Sequence, residues 1–218
     1  MNGAERCRVL VFAKAPVPGA VKTRLIPRLG ADATTRLYKT LVRRTLKVAL
    51  EAEVGAVELC CAPDAAHLFF AECAKEFAIG LNLQAAGNLG DRMEHALRQA
   101  LRTLPEALLI GTDCPAFTAA HLRAAVGALE GGSDLVFVPA EDGGYMLIGA
   151  RRIDAGVFAE IDWGSASVME QTRQNLRKLD WTWTELPALW DLDRPEDLDR
   201  LPQGMVSRAS PTDATKAR

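Results

Sequence analysis

Three cations crowd one early stretch of the chain. In "AKAPVPGAVKTRL" Lys14 precedes a loop stiffened by Pro16 and Pro18, and Lys22, Thr23 and Arg24 follow in a row. An arginine grips phosphate oxygens as a two-pronged fork, and a lysine serves as a compact point charge. Gly19 would let backbone approach such a ligand closely. The stretch therefore reads as an anion-binding loop, against the plainer reading of a solvated basic turn. It is not a P-loop: Lys22-Thr23 is present, but Pro16 and Val21 stand where the two glycines belong.

Acids form the second group. Asp113 lies in "GTDCP", Asp142 in "AEDGGYMLIG", and Asp191 and Asp193 in "WDLDRPEDL". A carboxylate at a strand exit can hold Mg2+ or Mn2+ against a diphosphate. Asp113 could equally cap the helix after Pro115. Asp193 could cap the helix opened by Pro195, with Glu196 closing a capping box. Asp142 could act as a base or orient a hydroxyl, and Gly143 and Gly144 would let an acceptor approach; a plain hairpin turn needs only Asp-Gly. Trp163 could stack on a sugar or base, or simply pack. A second glycine loop, "GNLGDRM", opens a helix and offers Gly87, Gly90 and Arg92 to a nucleotide.

The elements that must position these groups alternate. Strands are expected at Cys7–Ala13, Val57–Ala62, Leu81–Ala85 and Ala107–Ile110. Helices are expected at Ala31–Glu53 with Asp32 as N-cap, at Ala65–Phe77, after Gly90, and at Thr118–Glu130. Such alternation predicts an α/β fold with a mostly parallel sheet covered on both faces. The rhythm then breaks into two strand-like runs at Asp134–Val138 and Tyr145–Gly149. A helix at Ser165–Leu179, a late strand at Trp181–Leu186 and a short closing helix follow. Residues 1–202 read as one domain, and 203–218 as a disordered tail.

The totals exclude several classes. With 218 residues, 49% hydrophobic and 25% charged, the chain has an ordinary globular balance. A net charge of −2 gives no basic field for nucleic acid. Neither a signal peptide nor a membrane span is evident. Five cysteines form no C-x-x-C pair, which fits a reduced, cytoplasmic chain. His67, His95 and His121 show no metal-ligand spacing, and Cys114 reads as a packing residue rather than a nucleophile.

Taken in order, "AKAPVPGAVKTRL", "GTDCP", "EDGGYMLIG" and "WDLDRPEDL" resemble a bacterial family of GT-A-fold proteins described as glycosyltransferases or nucleotide-diphospho-sugar transferases. The first loop is also similar to that of 2-phospholactate guanylyltransferase. The resemblance implies a GT-A-like, Rossmann-like three-layer sandwich over Val9–Leu201. It implies nucleotide contacts from Lys14, Gly19, Lys22, Thr23, Arg24, Gly87, Gly90 and Arg92. Lys22, Arg24 and Asp142 would stand at the reacting groups, and Gly143, Gly144 and Trp163 at the acceptor. A Mg2+ or Mn2+ site would use Asp113 and, from the likeness of "DRPEDL" to the end of sugar-acid cytidylyltransferases, Asp193. Without metal, those two carboxylates would be expected to repel each other.

Many glycosyltransferases carry Asp-x-Asp, whereas "GTDCP" has one acid, which leans toward nucleotidyl transfer. The partners implied are a nucleotide or nucleotide-sugar and a small-molecule acceptor. A nucleotide-binding module without chemistry is the remaining alternative.

Overall fold

The structure, a computed structural model, describes residues 6–202. Seven strands form a single sheet: β1 (Cys7–Lys14), β2 (Ala56–Ala62), β3 (Gly80–Leu83), β4 (Glu106–Ile110), β5 (Leu135–Pro139), β6 (Tyr145–Ala150) and β7 (Trp183–Glu185). Their order is β3-β2-β1-β4-β6-β5-β7, and only β6 runs antiparallel to its neighbours. The helices are α1 (Ile26–Leu29), α2 (Ala31–Glu51), α3 (Leu68–Phe77), α4 (Leu89–Leu101), α5 (Ala119–Glu130) and α6 (Val168–Lys178).

Strand periodicity builds the three layers. Along β1, Cys7, Val9, Val11 and Ala13 join the core beneath α2, α3 and α5, while Leu10 joins the core beneath α4 and α6. Residues of a strand alternate between faces, so a strand apolar at nearly every position must be covered on both sides. The helices answer with one-sided stripes. In α2, Leu37, Tyr38, Leu41, Val42, Leu46 and Ala49 are buried. Among the described residues, no helix is long and apolar enough to cross a membrane.

Several local readings are corrected. Gly30, at φ 78°, rather than Asp32, caps α2, because it also ends α1 and the chain must turn there. Asp32 sits inside the first turn, where a negative charge suits the helix dipole. Helix α3 starts at Leu68, not Ala65. The Asp64 carboxylate accepts the Ala66 N–H at 2.8 Å, and His67 Nδ1 accepts the Phe69 N–H at 3.2 Å, so a turn and a cap use the preceding residues. Ser167 holds the N-cap of α6 without a side-chain bond. The expected tail, 203–218, lies outside the described residues.

One segment matters most for the site. After β7 the chain crosses the carboxyl edge of the sheet. Leu186 N–H bonds Phe137 O at 2.9 Å, Leu189 N–H bonds Pro139 O at 2.9 Å, and Leu192 N–H bonds Asp113 O at 2.8 Å. Leu192 is fully buried in a small core with Leu25, Leu37 and Leu41. Burying one leucine is worth about 1.5–3 kcal/mol. That anchor pins its neighbours Asp191 and Asp193 beside the exit of β4.

Candidate active site

A cleft of about 620 Å³ opens where β1 and β4 end and β6 begins. Ligands of open α/β sheets bind at this carboxyl edge. Lys14, Lys22, Thr23, Arg24 and Arg92 line the cleft among the residues expected at the nucleotide. Asp113 and Asp193 line it among the expected metal ligands, and Asp142, Gly144 and Trp163 among those expected at the acceptor. Gly19, Gly87, Gly90 and Gly143 do not.

The cations and the acids of one end are already partnered with each other. Lys22 Nζ lies 2.9 Å from Asp113 Oδ1 and donates to Leu192 O at 2.6 Å. Its side chain is only 6% exposed, so it rests on Asp113 and Leu192 rather than standing free as the sequence suggests. The backbone of Lys22 takes the left-handed conformation, φ 48° and ψ 43°, which is uncommon for a residue with a β-carbon and here aims the ammonium inward. Arg24 pairs with Asp193 across the same edge. The expected mutual repulsion of Asp113 and Asp193 is therefore relieved, one cation to each.

Repulsion falls on Asp191 instead. Burial, then the Asp142 carboxylate, push its pKa up to about 6; Lys22 pulls the other way and Asp193 adds to the rise. Asp193 is not the helix cap either. Asp197 Oδ2 accepts the N–H groups of Asp193 at 3.0 Å and Arg194 at 2.7 Å, and Arg194 holds the cap position. The carboxylate of Asp193 is thereby left to face Arg24, and Glu196 closes no box with it. Among the described residues, no group of three or more His, Cys, Asp or Glu is placed to hold a metal ion.

Asp142 sits at the tip of the β5–β6 hairpin, where its Oδ1 accepts the Gly144 N–H at 2.9 Å. The turn reading and the site position coexist in this residue. Gly143 has a packing role: a β-carbon there would come within 2.0 Å of Ala166 O. Gly90 likewise makes room, since a β-carbon would meet Phe158 and Trp163 at 2.8 Å. Trp163 is thus seated on the start of α4 while lining the cleft, and Phe158 lies 6.2 Å from it, ring to ring.

At the opposite end a residue that the sequence did not single out organises the wall. Gln84 is 8% exposed, and its Nε2 donates to Cys60 O at 2.7 Å and Ala13 O at 3.3 Å. It ties together the ends of β1 and β2. Its Oε1 accepts from Arg92 Nη1 at 2.9 Å, and Arg92 Nε donates to Asn88 O at 3.3 Å. Asn88 and Asp91 close a reciprocal capping box, so the N–H groups of both residues are used within the chain rather than offered to an anion. Tyr38 is a second silent contributor. Its buried hydroxyl accepts the Lys14 N–H at 2.8 Å and fixes the start of the first loop. Burial, helped by Asp113, pushes its pKa up to about 12. A glutamine after a short strand and a tyrosine within an amphipathic helix carry no spacing signal.

Comparisons with known proteins agree with this architecture. A crystal structure from Desulfovibrio desulfuricans G20, called a "putative nucleotide-diphospho-sugar transferase", superposes with a TM-score of 0.79 at 30% identity, over 86% of this chain and 82% of that one. A cytidylyltransferase from Leptospira borgpetersenii serovar Hardjo-bovis gives 0.58 at 13% identity, over 88% and 83%. Rv0371C of Mycobacterium tuberculosis H37Rv, solved with manganese, gives 0.56 at 18%, over 91% and 99%. The last two share the fold. No curated protein matches the sequence. The profile of DUF2064, described as an uncharacterised protein conserved in bacteria, matches residues 45–165, more than half of the 218, and the chain belongs to that family.

Proposed function

We propose that this protein is a metal-dependent transferase that takes a nucleotide-linked diphosphate, foremost a nucleotide-sugar, and passes the sugar to a small acceptor. One observation carries the reading: Lys22 and Arg24 converge with Asp113, Asp191 and Asp193 at one end of a single cleft. Phosphates want the two cations. The acids left over suit a divalent ion; the raised proton affinity of Asp191 comes first from burial and then from the neighbouring Asp142 carboxylate. Asp113 and Asp193 would hold the ion, with substrate phosphates completing its shell, which is how Mg2+ is commonly bound. Bound there, the metal would neutralise charge developing on the departing diphosphate. Similarity to the Desulfovibrio protein supports the nucleotide-sugar reading.

The residues have distinct tasks in this scheme. Lys22 and Arg24 would turn from carboxylates to phosphate oxygens as the substrate arrives. Asp142 would orient the acceptor hydroxyl and take its proton. Trp163 and Gly144 would wall the acceptor and keep water from the reacting carbon. Catalysis would rest mainly on position and electrostatics.

A second reading, transfer of a nucleotidyl group from a nucleoside triphosphate onto a phosphorylated acceptor with release of pyrophosphate, is favoured by the lone acid of "GTDCP". The neighbouring Cys114 is buried and its thiol is pushed up to about 11, first by burial. Such an acceptor has no hydroxyl proton to lose, so Asp142 would be dispensable. Thermal shift with nucleoside triphosphates and nucleotide-sugars, with and without Mg2+ or Mn2+, followed by product analysis, separates the cases. Nucleoside diphosphate release supports sugar transfer, and pyrophosphate release supports the second reading. Binding without turnover indicates a non-catalytic module, and no shift with any nucleotide sinks the proposal.

A further inference from the structure

The end of the cleft around Gln84 and Arg92 has a chemistry that the ion-paired end lacks. Arg92 carries donors only. Two of its N–H groups are committed, one to Gln84 Oε1 and one to Asn88 O. No other acceptor among the described residues takes the remaining ones. The guanidinium cannot swing freely, because Gln84 is itself bolted to the carbonyls of Ala13 and Cys60. Phe12, Met93 and Leu89 line the same cleft, and Leu89 remains 37% exposed. A fixed donor fork beside apolar walls fits a flat heteroaromatic ring that shows acceptors on its edge.

We infer that Arg92, held in place by Gln84, selects the nucleobase, admitting bases with two adjacent acceptors and rejecting those without. This rests on the nucleotide reading above and extends it to the substrate's base. Guanine offers O6 beside N7, and cytosine offers O2 beside N3. Adenine sets its N6 amino donor beside N7, and uracil sets an N–H between its two carbonyls. A donor-only fork meets two acceptors on the first pair and meets a donor on the second. Arg92 is the contacting residue, and Gln84 is a positioning residue that acts through it.

Four nucleoside diphosphates carry the same phosphates and differ in the base, so calorimetry with GDP, CDP, UDP and ADP in the presence of Mn2+ isolates the base. GDP or CDP should bind about tenfold or more tighter than ADP and UDP. Which of the two leads identifies the base. Arg92→Lys and Gln84→Met should each collapse that ratio while leaving ADP affinity within about twofold. A merely structural role for Gln84 would weaken all four alike. Arg92→Lys is at a cleft wall and keeps the test open should Gln84→Met fail to fold. If ADP or UDP binds as tightly as the others, or if the preference survives in Arg92→Lys, the inference is overturned while the nucleotide reading stands. If none of the four binds, the nucleotide reading itself fails, and the inference falls with it.

Discussion

Lys22 and Arg24 rest against carboxylates, whereas Arg92, at the other end of the same cleft, rests against an amide oxygen and a backbone carbonyl. The difference is one of net charge. A cation held by neutral acceptors keeps its charge and most of its donors for a ligand. A cation held by a carboxylate must give up that partner first. The first arrangement is pre-set; under the proposed function the second would work by exchange, phosphates displacing carboxylates from Lys22 and Arg24 and the freed carboxylates becoming available to a metal. The paired end should therefore bind phosphate and metal together better than either alone.

The largest expected effect comes from breaking the buried strut. Lys22→Met leaves Asp113 Oδ1 and Leu192 O without their shared donor. Asp113 is 46% exposed, which softens the loss, so the variant should be destabilised by about 1–3 kcal/mol in urea unfolding. It should also lose most nucleotide affinity. Unchanged stability would mean that Lys22 is not part of the frame.

Asp191 comes next, with a pH signature. Its pKa is raised in the folded protein, so the protonated form is favoured by folding. That stabilisation is present below the ordinary carboxylate value of 3.8 and is lost as pH rises through about 6. At pH 7.5, Asp191→Asn should stabilise the metal-free protein by about 1–2 kcal/mol, and at pH 3.5 by almost nothing. Asp193→Asn removes a paired acid and should show no such gain. Equal gains for both, read from unfolding midpoints at the two pH values, would contradict the assignment of the repulsion to Asp191.

Arg24→Lys sharpens the comparison further. Arg24 is 65% exposed, so stability should move by less than about 0.5 kcal/mol. Nucleotide affinity should still fall about tenfold, because an ammonium cannot chelate two phosphate oxygens. A lysine that binds nucleotide as well as arginine would show that charge alone matters at that position.

Much of this frame was legible from the residues, and the reason differs by element. Strand and helix periods are local, so the alternation through α5 and the cluster of charges in the first loop could be read directly. The pairings could not. Lys22 meets Asp113 because β1 and β4 are neighbours in the sheet, Arg24 meets Asp193 because the stretch after β7 crosses back over the sheet edge, and the buried Leu192 that pins that stretch looks like any other leucine. Gly87 and Gly90 read as a ligand loop, because a glycine kept for Trp163 packing and one kept for a turn look alike in sequence. Gln84 was silent, since its importance lies in two carbonyls on other strands.

The exchange itself can be measured by titrating Mn2+ into the protein with and without a saturating nucleoside diphosphate, for the native chain and for Asp113→Asn. The native protein should bind Mn2+ at least tenfold tighter when the diphosphate is present, a coupling of about 1.4 kcal/mol or more, and Asp113→Asn should abolish the difference. Equal Mn2+ affinity with and without the diphosphate in the native chain would contradict the account.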